Sequence, residues 1–186
     1  EFCQQPFSEP MMLSLAEAGS SVIAALRRER KNGGHVEMSR WFLERHCRDE
    51  GLPKCSLAVV QLKLSCVGFE RITEAIADYS GVEVLDLSRN KLVVIENLER
   101  LTSLRCLFLH GNSIERVQGI ASLQYLTVLD LAGNSLTHLS GLSVLPRLHT
   151  LNVADNSLAS TAAVEHLREC VSLWDIDLSN NGLTEA

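Results

Sequence analysis

Five asparagines recur at regular spacing from residue 90 onward, and each one closes the same short phrase. They are Asn90, Asn112, Asn134, Asn156 and Asn181, at steps of 22, 22, 22 and 25 residues. The phrases are VEVLDLSRNKL from residue 82, LRCLFLHGNSI from 104, LTVLDLAGNSL from 126, LHTLNVADNSL from 148 and LWDIDLSNNGL from 173. Self-similarity at a fixed period indicates stacked structural units that bury their apolar faces against one another.

All five phrases fit LxxLxLxxNxL, the signature of leucine-rich repeats. An earlier unit from residue 59 keeps Leu62 and Leu64 but has Val67 where the asparagine belongs, so we expect a degenerate first repeat. The alternating leucines predict a short strand in each repeat, and stacking of the repeats predicts one parallel sheet. The asparagine amides are expected to hydrogen-bond to neighbouring turns and to form a column.

The segments between the phrases predict the rest of the architecture. In the 22-residue repeats, aliphatic residues recur at three-residue steps, which is the 3₁₀ period. The longer fourth full repeat contains ASTAAVEHLREC, for which we expect a true α-helix. Residues 39–51 predict a helix with Ser39 as N-cap that covers the first strand. The expected fold is an α/β leucine-rich-repeat solenoid with short parallel strands on its concave face, 3₁₀ or helical segments on its convex face and an N-terminal helical cap.

Three segments follow from this interpretation. Residues 1–34 form an N-terminal helical or flexible extension, residues 35–58 the cap, and residues 59–186 about six repeats, the last of them truncated. The extension predicts a helix from about Pro10 to Lys31 that ends in a basic run. That run allows contact with nucleic acid, tubulin or an acidic membrane. A solvated helix end whose cations favour the helix dipole is the preferred interpretation.

Charge and composition restrict the classes of partner. The chain holds 17 Lys and Arg against 23 Asp and Glu, and residues 59–186 alone hold nine against fifteen. An acidic surface repels phosphate backbones and favours basic partners. The sequence shows no C-x-x-C pair, no long apolar run and no signal-peptide pattern. We therefore expect a cytoplasmic protein without metal, cofactor, nucleic acid or membrane as a partner.

The side chains that alternate with the inward leucines are expected to project from the concave sheet, where solenoids bind their partners. Phe108 is the one large aromatic among them. The predicted protein-binding residues are Val84, Asp86, Cys106, Phe108, His110, Val128, Asp130, Asn152 and Asp177. An apolar centre with an acidic rim favours an extended or helical partner segment that carries an apolar anchor beside Lys or Arg. Alternatively, Phe108 only covers its neighbours.

His110 beside Asp86 or Asp130 also allows a catalytic interpretation, with Ser88 as a nucleophile. A flat sheet offers neither oxyanion donors nor a cleft that excludes water. We therefore predict no catalytic residues and no enzymatic activity.

Longer stretches of sequence resemble known repeat proteins. The 22-residue pattern is similar to the SDS-type cytosolic repeat class, which includes a phosphatase regulatory subunit. RWFLERHC at 40–47, GFERI at 68–72, SLRCLFLHGN at 103–112, VLPRLHTL at 144–151 and EHLREC at 165–170 resemble, in the same order, the axonemal dynein assembly factor 1 family of ciliary leucine-rich-repeat proteins.

That resemblance implies a non-enzymatic cytosolic factor for preassembly of outer-arm dynein, associated with cilia or flagella. Its implied partners are dynein subunits or assembly co-factors. Regulation of a protein phosphatase and a structural role in the axoneme or basal body are the alternatives. The oligomeric state stays open, because a parallel edge near Ile176 would allow dimerisation through strand pairing.

Overall fold

The computed structural model describes residues 36–184, which form one six-stranded parallel sheet with its strands in chain order. The strands are β1 (Gln61–Lys63), β2 (Val84–Asp86), β3 (Cys106–Phe108), β4 (Val128–Asp130), β5 (Thr150–Asn152) and β6 (Asp175–Asp177). Each strand pairs with the strand of the next repeat, so the sheet grows sideways with every turn of the chain. The parallel solenoid predicted from the repeats is confirmed.

The middle residue of every strand points into the core. In register across the sheet, Leu62, Leu85, Leu107, Leu129 and Leu151 are fully buried. Burying a leucine side chain contributes roughly 1.5–3 kcal/mol, so this column is a main source of stability. Ile176 continues the column in β6 and is 40% exposed, because no described residue stacks beyond that strand.

The asparagine column is also confirmed, and its hydrogen bonds join adjacent repeats. Asn134 is representative: its Oδ1 accepts from the backbone N–H of Ile114 at 2.9 Å, and its Nδ2 donates to the carbonyls of Leu109 at 3.1 Å and Leu131 at 2.9 Å. Asn112, Asn156 and Asn181 repeat this pattern. Each amide therefore satisfies backbone groups that the turns leave without partners.

Val67 stands at the asparagine position of the first repeat for a physical reason. The asparagines of later repeats accept from an N–H in the preceding repeat. Because β1 is the first strand among residues 36–184, an amide at position 67 would find no preceding repeat among these residues from which to accept. Val67 is instead buried in the core.

The convex side differs from two expectations. The α-helix expected in the fourth full repeat is wrong, since Thr161–Glu169 is a 3₁₀-helix. Val164, Leu167 and Cys170 pack against the core at three-residue steps, which is the 3₁₀ period, while Val171 is exposed.

Continuous 3₁₀-helices are likewise absent from the described 22-residue repeats. Their convex segments are single turns, as where the Leu101 N–H donates to the Leu98 carbonyl and the Leu104 N–H to the Leu101 carbonyl, both at 3.0 Å. Such bonds recur every third residue instead of at consecutive residues, so no helix develops. Shorter 3₁₀-helices occur at Ser56–Ala58 and Glu74–Tyr79.

The predicted cap helix is confirmed as α1 (Arg40–Asp49). The Ser39 hydroxyl accepts from the Phe42 N–H at 3.2 Å, which caps the first turn. Phe42 and Leu43 are buried, and the Phe42 ring meets the Phe69 ring edge-on at 5.3 Å. The helix packs onto the core of the first repeat, at the β1 end of the solenoid. The predicted extension over residues 1–34 lies outside the described residues.

Candidate functional site

Two rows of side chains line the sheet on the face opposite the leucine column. The first row is Gln61, Val84, Cys106, Val128, Thr150 and Asp175, and the second row is Lys63, Asp86, Phe108, Asp130, Asn152 and Asp177. This register is the one that the repeat spacing predicts. It brings eight of the nine predicted binding residues onto two adjacent rows, and His110 lies two residues after the end of β3.

These residues lie at two depths. Val84, Asp86, Phe108, His110 and Asp177 are half-buried, and Phe108 is not part of the hydrophobic core cluster. Cys106, Val128, Asp130 and Asn152 are buried. A partner would therefore first meet Phe108 and the half-buried side chains of Val84, Asp86 and His110 beside it, which we call the Phe108 patch. Alternation along a strand shows which face a side chain belongs to, but not its depth.

The second row has a structural role that the sequence interpretation missed. The Oδ1 atoms of Asp130 and Asn152 each accept from the backbone N–H two residues later, at 3.1 Å. Asp86 and Asp177 do the same at 2.9 Å. This bond holds the turn that leaves the strand. The sequence does carry a signal for this turn bond. In four of the five phrases, an Asp or Asn stands two residues before a small residue.

Asp177 shows the electrostatic effect of this arrangement. The hydrogen bonds donated by the side chain and the backbone of Ser179 stabilise the carboxylate and hold the pKa of Asp177 below its usual value. The group is therefore charged at neutral pH. It adds a negative charge to the β6 end of the second row.

Lys63 and Phe108 are the two members of this row that accept no such bond, and Phe108 is the one that lies inside the sheet. Its neighbours in register are Asp86 and Asp130, both of which hold their turns. A phenyl ring has no acceptor, so the backbone N–H of His110 has no side chain two residues earlier to which it can donate. Phe108 occupies a position that four other repeats use to hold the turn after the strand.

His110 lies within hydrogen-bonding distance of Asp130, one of the two carboxylates considered from the sequence. Its Nδ1 lies 3.0 Å from Oδ2 of Asp130, while Asp86 is engaged with the Ser88 hydroxyl at 2.6 Å. The Nε2 of His110 is buried without a hydrogen-bond partner. Ser88 and His110 therefore belong to separate pairs, and the nucleophile–base contact required for catalysis is not formed.

The charges on the two rows are mainly negative. Asp86, Asp130, Asp175 and Asp177 are the carboxylates of these rows, and Lys63 is their ammonium group. A sheet of this character attracts cationic segments. Among residues 36–184, no helix is long and apolar enough to span a bilayer.

Comparison with known proteins gives a structural likeness only. No protein-family model matches the chain, and no curated protein matches it. An internalin C2 from Listeria monocytogenes superposes with a TM-score of 0.61 at 25% identity, covering 68% of this chain and 54% of that chain. A leucine-rich-repeat protein from Leptospira interrogans gives 0.57 at 24% identity, covering 66% and 30%.

TLR13, solved in complex with ssRNA13, gives a TM-score of 0.64 at 22% identity over 77% of this chain and 22% of that chain. The fold is an α/β leucine-rich-repeat solenoid. This chain spans about half or less of the length of these solved chains.

Proposed function

We propose that this solenoid is a non-enzymatic scaffold that binds another protein across its concave face, with Phe108 as the central contact. The supporting observation is the position of Phe108 in the second row. Four other members of that row accept a backbone hydrogen bond and thereby hold a turn. Phe108 cannot do so, and aromatic side chains within a polar rim are typical anchors of protein interfaces.

The carboxylates beside Phe108 define the partner's chemistry. Asp86 uses Oδ1 for both of its bonds to Ser88, so Oδ2 is available to a Lys or Arg of the partner. Asp177 adds charge at the β6 end of the same row. We expect a segment with one apolar anchor and flanking basic residues. Nucleic acid is disfavoured because its phosphates would face these carboxylates.

Replacement of Phe108 tests this surface. F108E introduces a charge at the centre of the patch, and V93E introduces the same charge at an exposed valine outside both rows. Loss of a central anchor costs about 2 kcal/mol or more, roughly a 30-fold loss of affinity. Quantitative affinity capture from a flagellate extract should lose its specific partners with F108E and retain them with V93E. Equal capture by the two variants would refute the patch.

For the biological setting, we propose cytoplasmic preassembly of outer-arm axonemal dynein in ciliated or flagellated cells. Support comes from the ordered sequence similarities between residues 40 and 170. Cells that lack the protein should show axonemes with intact doublets and missing outer arms in electron micrographs. Normal arms, with the protein copurifying with a phosphatase catalytic subunit, would favour phosphatase regulation instead. A tagged protein that remains in the axoneme would favour the structural role.

A further inference from the structure

A cluster of exposed side chains lies where the chain enters β4 and β5, outside the two rows of the sheet. Tyr125 and Val144 are each 46% exposed. The guanidinium carbon of Arg147 lies 4.6 Å from the centroid of the Tyr125 ring, which is a cation–π contact. His149, two residues after Arg147, is also exposed. We call these four residues the Arg147 patch. Because β4 and β5 each pair with a strand on both sides, the patch belongs to the interior of the stack.

The repeat geometry brings the patch together. Tyr125 and Arg147 occupy equivalent positions of successive repeats, each one residue before a buried leucine. Val144 lies three residues before Arg147, among turns such as the one in which the Leu148 N–H donates to the Leu145 carbonyl at 3.3 Å. At a rise of about 2 Å per residue, this spacing places Val144 and Arg147 on the same side of the chain, roughly 6 Å apart. An apolar side chain, an aromatic ring and a cation therefore share one surface.

Hydrogen bonds between repeats hold the backbone beneath the patch. The Nε2 of Gln124 donates to the Ala121 carbonyl at 2.7 Å and to the Val144 carbonyl of the next repeat at 3.1 Å. On the β6 side, the Ser172 hydroxyl donates to the Pro146 carbonyl at 2.6 Å. These bonds join three successive repeats. The surface is therefore formed before a partner arrives, which reduces the entropy that binding costs.

Arg147 keeps its guanidinium N–H groups available. Arg71 and Arg105, in earlier repeats, each hold a carboxylate of a neighbouring turn, at 2.9 Å and 3.1 Å. Within the described part of the chain, Arg147 forms no ion pair and its side chain donates no hydrogen bond. Its contact with the Tyr125 ring satisfies none of the five guanidinium donors. Those donors therefore remain free to bind an oxygen acceptor.

The sequence around the patch supplies no exposed carboxylate to compete for these donors. Between residues 116 and 154 the one Asp or Glu is Asp130. Asp130 is buried on the sheet, where its Oδ2 lies 3.0 Å from Nδ1 of His110. His149 adds an imidazole that can also donate an N–H. The patch thus combines free donors with apolar surface and complements an anionic group that has an apolar neighbour.

We propose that the Arg147 patch binds an acidic peptide segment of a partner protein. A carboxylate of the segment pairs with Arg147, because guanidinium groups form strong paired hydrogen bonds with carboxylates. An apolar side chain of the segment packs on Tyr125 and Val144. Residues two apart in an extended peptide are separated by about 6.6 Å, which matches the spacing of the patch. The segment therefore carries a large apolar residue two positions from an Asp or Glu.

Nucleic acid fits the patch less well than a peptide does. The chain holds 23 acidic against 17 basic residues, and this excess repels a phosphate backbone. A single carboxylate on a short segment meets only the local charge of Arg147. The Arg147 patch shares no residue with the Phe108 patch, so this proposal is independent of the proposed function.

Selection from a multivalent phage library of random peptides tests the proposal. The library is panned at near-physiological salt against the unmodified protein, R147E and R116E. Arg116 is exposed and, like Arg147, forms no ion pair within residues 36–184, so R116E makes the same change of net charge away from the patch. The unmodified protein and R116E should enrich peptides with an Asp or Glu two positions from a large apolar residue. R147E should not enrich them.

A synthetic peptide of the most enriched sequence then gives affinities by fluorescence anisotropy. R147E should weaken its binding at least about tenfold, because hydrogen bonds between charged groups are lost. Y125A should weaken it about threefold, because Arg147 loses the ring that supports it. R116E should bind as the unmodified protein does.

Three outcomes would overturn the proposal. The first is enrichment of the same peptides by R147E and R116E. The second is a selection in which every enriched peptide depends on Phe108, tested with F108E; that result would support the Phe108 patch while removing this one. The third is binding of a short oligouridylate that R147E abolishes, with no acidic peptide enriched, which would make the patch a nucleic-acid surface.

Discussion

The asparagine column offers the sharpest test of how the repeats are held together, and Asn134 is its best-placed member. In N134A the N–H of Ile114 loses its acceptor. The Leu109 carbonyl keeps a bond from Asn112, and the Leu131 carbonyl keeps one from Asn156. The Ala132 carbonyl also loses a bond from Asn134, at 3.3 Å, and keeps one from the Gly111 N–H. The substitution therefore leaves one buried donor without a partner and removes one bond from each of three carbonyls that retain another.

The magnitude follows from that count. A buried donor without a partner costs about 1–3 kcal/mol, and each lost bond to a carbonyl that retains another costs about 0.5 kcal/mol. We expect N134A to lower the free energy of unfolding by about 2.5–4.5 kcal/mol, read from the urea midpoint at an unchanged slope. The control S135A changes the adjacent exposed hydroxyl and should stay within about 0.5 kcal/mol. A loss in N134A no larger than in S135A would refute the column's role.

Two further predictions concern stability. Burial lowers the pKa of His46 below its ordinary value of 6.5. The unfolded chain therefore takes up a proton on this imidazole at a higher pH than the folded chain does. The free energy of unfolding then falls as the pH drops below about 6.5, by at most about 1.4 kcal/mol per pH unit. Urea titrations at pH 7.5 and 5.5 measure how much the free energy of unfolding drops between the two pH values. This drop should be smaller in H46L than in the unmodified protein and unchanged in the control H138L, at an exposed histidine. Equal drops in the two variants would contradict the role of His46. Gly119 has φ +69°, and a Cβ there would lie 2.6 Å from the Ile95 carbonyl oxygen, so G119A should cost at least about 2 kcal/mol in the same assay. Gly51 has the same φ with open space around it, so G51A should cost about 1 kcal/mol, and equal losses would refute the close contact.

The repeat pattern predicted strand order and register because its residue types leave little choice. Leu107 at a middle strand position can be buried only if the strand lies in phase with its neighbours. Asn112 reaches carbonyls of two repeats only in that same register. Burial and hydrogen bonding therefore impose the same period, which a single sequence displays.

Local preferences predicted the convex side less well. ASTAAVEHLREC is rich in helix formers, yet the chain between β5 and β6 must place Val164, Leu167 and Cys170 on the core, and a three-residue step does so. Tertiary packing overrides intrinsic helix propensity in this segment. The isolated turns of the shorter repeats follow the same inward three-residue period without forming a helix.

The candidate site was predictable in outline but not in its pairings. Sequence spacing placed Asp86 and Asp130 equally close to His110. The structure distinguishes them: Nδ1 of His110 lies 3.0 Å from Oδ2 of Asp130, while the hydrogen bonds of Asp86 are those that its Oδ1 accepts from Ser88. Such differences depend on neighbouring side chains within a turn, which the repeat period does not encode.

Complementation tests the central claim most directly, because it joins the Phe108 patch to the proposed role. A flagellated cell that lacks the protein is given back F108E or V93E at equal level, and outer arms are counted in axoneme cross-sections. We expect V93E to restore the arms and F108E to leave them missing. Full restoration by F108E would show that Phe108 is not needed for arm assembly.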